Sequence, residues 1–187
     1  MSPILDAMRE RRSIGKLNGD VSDTELRALV GAALCAPNHK LTAPWRFTAI
    51  RGDARGRLGA LFAKLAEPNA PTDPVERETF LAKEARKPMR APLLLAISTH
   101  TAADQIVAAE DFAATAAATQ NVLLAAQALG LGAIWRTGAT AYRSEVLRFL
   151  GLDPTDRLVA IVYLGRPAME PPKERPHDVD AVLRVME

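Results

Sequence analysis

The run "APLLLAIST", residues 91–99, carries no charged side chain and no apolar/polar alternation. A short continuous apolar stretch of this kind is the mark of a β-strand buried on both faces. The rest of the chain must therefore cover it from two sides. "GAIWRT" (132–137) and "RLVAIVYLG" (157–165) read as two further strands, with a short helix from Ser144 to Leu150 between them, and Trp45 to Ile50 reads as another.

The helices announce themselves by their ends. Ser2 before Pro3 places a proline at the first helical position, with Ile4, Leu5 and Met8 on one face. Ser22 and Glu25 form a capping-box pattern ahead of Leu26, Leu29, Val30 and Ala33, and Pro37 ends that helix. Ala54–Glu67 and Val75–Lys87 read as helices separated by the proline-rich stretch 68–74, the second stopped by Pro88. From about Ala108 to Leu129 the chain is alanine-rich, with Phe112, Ala116, Thr119, Val122, Leu123, Ala126 and Leu129 at helical spacing and Gly130 as C-cap. Side chains that small let another helix approach closely. The sum is an α+β domain of about four strands and long helices.

Length and charge bound the function. At 187 residues the chain forms one domain over 1–187, or one half of a symmetric dimer, with room for a sizeable core. Lysine and arginine number 24 against 22 acidic residues, a formal charge of +2, so no global field draws nucleic acid or a membrane surface. Any anion site must be local. The single cysteine, Cys35, excludes an internal disulfide and multi-cysteine metal sites and is compatible with a reducing cytoplasm. Asp6, Arg9 and Glu10 interrupt any signal-peptide pattern, and no stretch is long enough to span a membrane, so a soluble cytoplasmic protein is expected. From Pro167 to His177 the chain is proline-rich and unsuited to regular structure, yet the apolar "AVLRVM" (181–186) follows and needs a partner.

Three clusters are candidates for chemistry. "RERRSIGKLNG" (9–19) sets Arg9, Arg11, Arg12 and Lys16 around Ser13 at a helix end. Those cations can simply offset the helix macrodipole; they can also meet nucleic acid, or one compact anion through guanidinium forks beside a hydroxyl. In "CAPNHKLTAPW" (35–45) two prolines fix a loop around His39 and Lys40, and Cys35 on the preceding helix reads as a small buried hydrophobe. In "GLGAIWRTGA" (130–139) Trp135 stands where a dinucleotide fingerprint needs its third glycine, and a helix rather than a strand precedes it, so that reading fails. Trp135, Arg136 and Thr137 instead end a strand with a ring, a cation and a hydroxyl, either a core tryptophan with a rim arginine or the wall of a flat heteroaromatic site. The three histidines, His39, His100 and His177, lack metal-ligand spacing, no hydrolase elbow is present, and Glu110 and Asp111 are accounted for by the dipole of the long helix.

Taken in order, "RRSIGKL", "APNHKLTAPWRF", the alanine-rich helix, "GAIWRTGA" and "VYLGRP" resemble the nitroreductase family of flavin enzymes, and within it the short single-domain members. The resemblance runs from Ile4 to about Pro167. It departs from the common pattern at Gly15 and Ala43, where many members carry arginine and glutamine. It implies an α+β fold with a central, mainly antiparallel sheet of about four to five strands flanked by helices, two subunits intertwined around long helices, and one FMN at each end of the interface. Arg11, Arg12 and Ser13 would contact the flavin and its ribityl phosphate, with Lys16 adding to the phosphate side and Arg166 as a further candidate there. His39 would reach the flavin of the other subunit, with Cys35 close by, and Trp135, Arg136 and Thr137 would complete the pocket. Residues 167–187 would form an arm on the partner subunit.

The implied activity is reduction of nitroaromatic, quinone or similar electron-poor acceptors by NADH or NADPH, ping-pong, with the chemistry carried by FMN rather than by a catalytic side chain. No metal is implied. Two alternatives share the residues: a flavin-binding or storage protein without significant turnover, and another flavin chemistry on the same fold.

Overall fold

The computed structural model describes residues 2–174 and 176–187. Along the chain run α1 (Pro3–Glu10), β1 (Leu17–Asn18), α2 (Asp23–Ala33), β2 (Trp45–Arg51), α3 (Asp53–Ala66), α4 (Pro74–Ala85), β3 (Leu93–Thr99), α5 (Gln105–Ala128), β4 (Gly132–Arg136), α6 (Ser144–Phe149) and β5 (Arg157–Pro167). The strands form one five-stranded sheet in which every pairing is antiparallel. β5 is its axis. β3 and β4 both pair with residues 161–164 of β5 and so lie on its two sides, β2 lies beyond β3, and the two-residue β1 pairs with the end of β5.

β3 is buried at all seven positions, as its sequence requires. One face packs Leu95, Ile97 and Val162 against Leu29 of α2 and Ala118 and Val122 of α5. On the other, Leu94, Ile161 and Tyr163 meet Leu58 and Phe62 of α3 and Val146 of α6. Each of the fully buried aliphatic side chains contributes roughly 1.5–3 kcal/mol relative to exposure. α4 packs outside α3 where Gly59 allows it, since a Cβ at that position would collide with the Ala85 carbonyl.

The helix ends follow local rules with two exceptions. The Ser22–Glu25 capping box is complete, and Gly130 (φ 69°) ends α5 with Leu131 N–H donating to Ala126 O at 2.8 Å and Gly130 N–H to Gln127 O at 3.0 Å, a Schellman closure. Ser2 stands at the N-cap of α1, but its hydroxyl makes no capping bond. α5 begins three residues before the alanine run, because the Asp104 carboxylate accepts from Ile106 N–H at 2.9 Å and Val107 N–H at 3.0 Å. Glu110 and Asp111 therefore lie beyond the first turn, which corrects their assignment to the helix dipole. Among the described residues no helix is long and apolar enough to cross a membrane.

Candidate functional site

The basic run begins where α1 stops. Arg11 is the C-cap with extended backbone (ψ 123°), and Ile14, 6 % exposed, anchors the following segment through its N–H to Ala133 O at 3.0 Å. Arg11, Arg12 and Ser13 are thereby laid beside β4, where they line a cleft of about 550 Å³ with Met8, Arg9 and Lys173. Arg12 is the most engaged: its guanidinium donates to Pro172 O at 3.2 Å, to Arg11 O at 3.0 Å and to Arg9 O, and meets the Glu174 carboxylate at 3.8 Å. The proline-rich segment after β5 thus folds back over the cleft of its own chain and presents an anion to it. Arg166 is not directed to the cleft; it pairs with Glu25 Oε1 at 2.8 Å, and the Ser22 backbone and hydroxyl hydrogen bonds, followed by Arg166, hold the Glu25 carboxyl below its ordinary range.

The loop before β2 is tied to α5. His39 Nδ1 stands 4.0 Å from Glu110, and the Thr42 hydroxyl donates to Asp111 Oδ1 at 2.6 Å, with Asp111 only 4 % exposed. Lys40, Leu41 and Ala43 take positive φ values of 53°, 54° and 45°, conformations that side-chain-bearing residues adopt at a cost. Ala43 N–H is held by Asn38 Oδ1 at 3.0 Å. Cys35 is exposed, with its thiol 3.5 Å from Gly31 O, and is not the buried hydrophobe its helical position suggests: it lies past the last residue of α2, beyond the packed face.

Trp135 and Arg136 do not share a wall. Trp135 follows the alternation of Ala133, on the α5 face, and is 36 % exposed, whereas Arg136 follows Ile134 on the α3 face and lays its guanidinium over the Tyr163 ring at 5.6 Å. Thr137 leaves the strand beside it. The loop at 35–45 and the motif at 135–137 also stand apart, at opposite edges of the sheet with β3 and β5 between them, about 14 Å at the ordinary strand spacing. One chain therefore brings Arg11, Arg12 and Ser13 into one cleft and leaves His39 and Cys35 elsewhere.

Two features were missed by local reading. His100 Nδ1 lies 3.0 Å from Asp156 Oδ1, joining the end of β3 to the approach to β5, a pair with no short-range signal because 56 positions separate its members. The pocket behind Arg136 also draws Lys87 and Arg90 from the turn after α4. Among the described residues no cluster of histidine, cysteine and carboxylate groups could hold a metal ion.

Comparison with known proteins fits this geometry. A family model described as "Nitroreductase family" matches residues 8–166. The Bacillus subtilis protein named "Putative NAD(P)H nitroreductase YfhC" is 31 % identical over 172 residues, covering 91 % of this chain and 87 % of that protein. The Escherichia coli protein named "Putative NAD(P)H nitroreductase YdjA" is 29 % identical over 168 residues, covering 89 % of each. The crystal structure of a nitroreductase-like family protein from Bacillus cereus superposes with a TM-score of 0.84 at 26 % identity, covering 100 % of this chain and 97 % of that one. A Desulfovibrio desulfuricans structure described as a "putative nitroreductase in complex with fmn" matches with a TM-score of 0.73 at 28 % identity, covering 100 % and 99 %.

Proposed function

The chain belongs to the nitroreductase family, and from that membership we infer that it is an FMN-dependent NAD(P)H oxidoreductase that reduces nitroaromatic, quinone or similar electron-poor acceptors. The observation that carries this reading is the α1 cleft, whose Arg11, Arg12 and Ser13 converge and whose Arg12 already faces a carboxylate. Its donor set fits FMN: guanidinium forks and a hydroxyl suit a phosphate and the carbonyl edge of a flavin, and the Trp135 ring on β4, 36 % exposed, suits a flat heteroaromatic. The FMN-bound Desulfovibrio relative and the NAD(P)H named for the two bacterial relatives support both cofactors. When bound, FMN supplies hydride transfer between a nicotinamide and an acceptor.

The chain's own part is binding and electrostatics. Arg11 and Arg12 hold the phosphate and offset negative charge that develops near them, Ser13 donates a neutral hydrogen bond, and Trp135, Arg136 and Thr137 complete the pocket from the end of β4. No side chain is required to move a proton as general base.

The working unit is a homodimer. His39 and Cys35, an edge-to-edge sheet width from Trp135, enter the site from the partner subunit. Uncovered apolar surface supports that assembly: Ile4, Leu5 and Met8 on α1 are 66 %, 49 % and 50 % exposed, and Ile106 on α5 is 72 % exposed. In the 167–187 segment Pro172 and Glu174 lie on the chain's own cleft, and its apolar end, with Val182 and Met186 more than four-fifths exposed, completes the single domain as an arm on the partner.

The visible spectrum of the purified protein, before and after anaerobic NADPH or NADH, tests the reading. A yellow protein that bleaches is the expected result, and the faster donor identifies the preferred nicotinamide. A yellow protein that neither donor bleaches indicates flavin storage instead, and a colourless protein that takes up no FMN overturns the assignment.

A further inference from the structure

A groove of about 700 Å³ runs along the outer face of α4, where Glu78, Thr79, Lys83 and Arg86 line it, and continues past Met89 and Arg90 in the turn at 87–90. Thr79, Lys83 and Arg86 stand at i, i+4 and i+7 and so share one side of the helix. Among the described residues Lys83, Arg86 and Arg90 form no ion pair and no side-chain hydrogen bond. Glu84, on the buried side of α4, is paired with Lys87 and does not offset them. Glu78 is the single carboxylate in the lining, so three cations face the groove against one acid. That local excess stands out in a chain whose whole formal charge is +2. Arg90 also lines the pocket at the end of β4 with Arg136 and Thr137. The groove therefore starts beside residues that the family resemblance assigns to the flavin and leads away from them along α4.

We propose that this groove takes the 2′-phosphoadenosine end of NADPH, and that Lys83 and Arg86 make the chain select NADPH over NADH. The proposal rests on the flavin reading, which calls for a nicotinamide donor whose adenosine half must lie outside the flavin pocket. A 2′-phosphate is a phosphomonoester carrying close to two negative charges at neutral pH. Lys83 and Arg86, one helical turn apart, bring an ammonium and a guanidinium fork to one such group. NADH presents only a hydroxyl at that position and leaves both cations without a partner. Met89, 49 % exposed, and Ala82 offer the adenine an apolar, polarizable bed, and the Glu78 carboxylate is an acceptor for its amino group. From Glu78 to Arg86 the helical rise covers about 12 Å, enough for an adenosine phosphate and more than a single ion requires.

Calorimetric titration of adenosine 2′,5′-bisphosphate and of adenosine 5′-monophosphate into the full-length protein saturated with FMN reads the groove without turnover, because a flavin phosphate already fills the α1 cleft. The wild type should show one saturable site per chain and bind the bisphosphate at least about tenfold more tightly, the gain from a charge-assisted contact. Arg86→Gln and Lys83→Gln should each remove most of that difference, Arg86→Lys should retain most of it, and Lys173→Gln, on the α1 cleft, should leave it unchanged. In steady-state turnover the wild type should favour NADPH over NADH in kcat/KM, and Arg86→Gln should erase that preference through KM rather than kcat. Absence of saturable binding, equal affinity for the two adenosine phosphates, or loss in Lys173→Gln instead of Arg86→Gln overturns the proposal. So does equal use of the two donors by the wild type, or an equal loss with both in Arg86→Gln. If the protein takes up no FMN, the flavin reading fails, and the same titrations on flavin-free protein still decide the groove.

Discussion

Arg12 and Glu174 face each other at 3.8 Å across the mouth of the α1 cleft, so the chain's own tail sets a carboxylate beside a guanidinium that the flavin reading assigns to phosphate. The two anions compete for one cation. Glu174 is 65 % exposed at its side chain, so the pair is a screened, rim-type interaction worth at most about 1 kcal/mol. Glu174→Gln should therefore tighten FMN binding by roughly two- to fivefold, most visibly at low salt. Fluorescence titration of FMN into flavin-free protein measures this; an unchanged Kd in both low and high salt would show that Glu174 does not compete.

The separation of His39 from Trp135 across the sheet leads to a complementation test. If each site takes its arginines from one subunit and His39 from the other, His39→Ala and Arg12→Gln homodimers both lose every complete site. Mixing the two variants under conditions that exchange subunits creates heterodimers with one intact site, because both lesions then fall in the same site. Random exchange should restore about a quarter of wild-type acceptor reduction. No recovery in exchanged mixtures, verified by mass, would mean that His39 acts within its own chain or not at all.

Tyr163 gives a pH signature on the alkaline side. Burial raises its phenol above the ordinary value, with the nearby Arg136 and Arg90 opposing that rise only in part. Above about 10 the unfolded chain releases this proton while the folded one retains it. Stability contributed by the neutral phenol is thus complete below that pH and lost as pH rises toward the folded value. Urea melts should show wild type losing more stability across this window than Tyr163→Phe; parallel losses would contradict the assignment.

Much of the architecture was legible because its causes are local. The all-apolar 91–99 run is β3, Ser22 and Glu25 cap α2, and Gly130 closes α5. The start of α5 was misread because Ile106 and Val107 break the alanine pattern, while the decisive signal is the carboxylate of Asp104. The site was legible in parts. Arg11, Arg12 and Ser13 do form one cleft, but the string "WRT" conceals that successive β4 side chains point to opposite faces. Trp135 follows Ala133 on the α5 face, while Arg136 lies on the α3 face in a pocket completed by Lys87 and Arg90. That grouping is created by the antiparallel pairing of β4 with β5, which no spacing within a single motif encodes.

The loop 38–43 is anchored on the buried Asp111 of α5. The Thr42 hydroxyl donates to Asp111 at 2.6 Å, and around it Lys40, Leu41 and Ala43 are held at positive φ. A left-handed conformation costs side-chain-bearing residues roughly 1–2 kcal/mol each, so the loop persists only while its anchors over-determine it. Thr42→Val removes the donor and leaves the carboxylate of Asp111, 4 % exposed, without it, at a cost of about 1–3 kcal/mol. The melting temperature should fall by several degrees, and amides of 38–43 should exchange faster while those of β3 change little. Thr42→Ser keeps the hydroxyl and should restore most of the protection. Because this loop carries His39, Thr42→Val should also slow acceptor reduction in proportion to the loss of loop order. Wild-type exchange in Thr42→Val would show that the Asn38 bond to Ala43 N–H alone suffices to hold the loop.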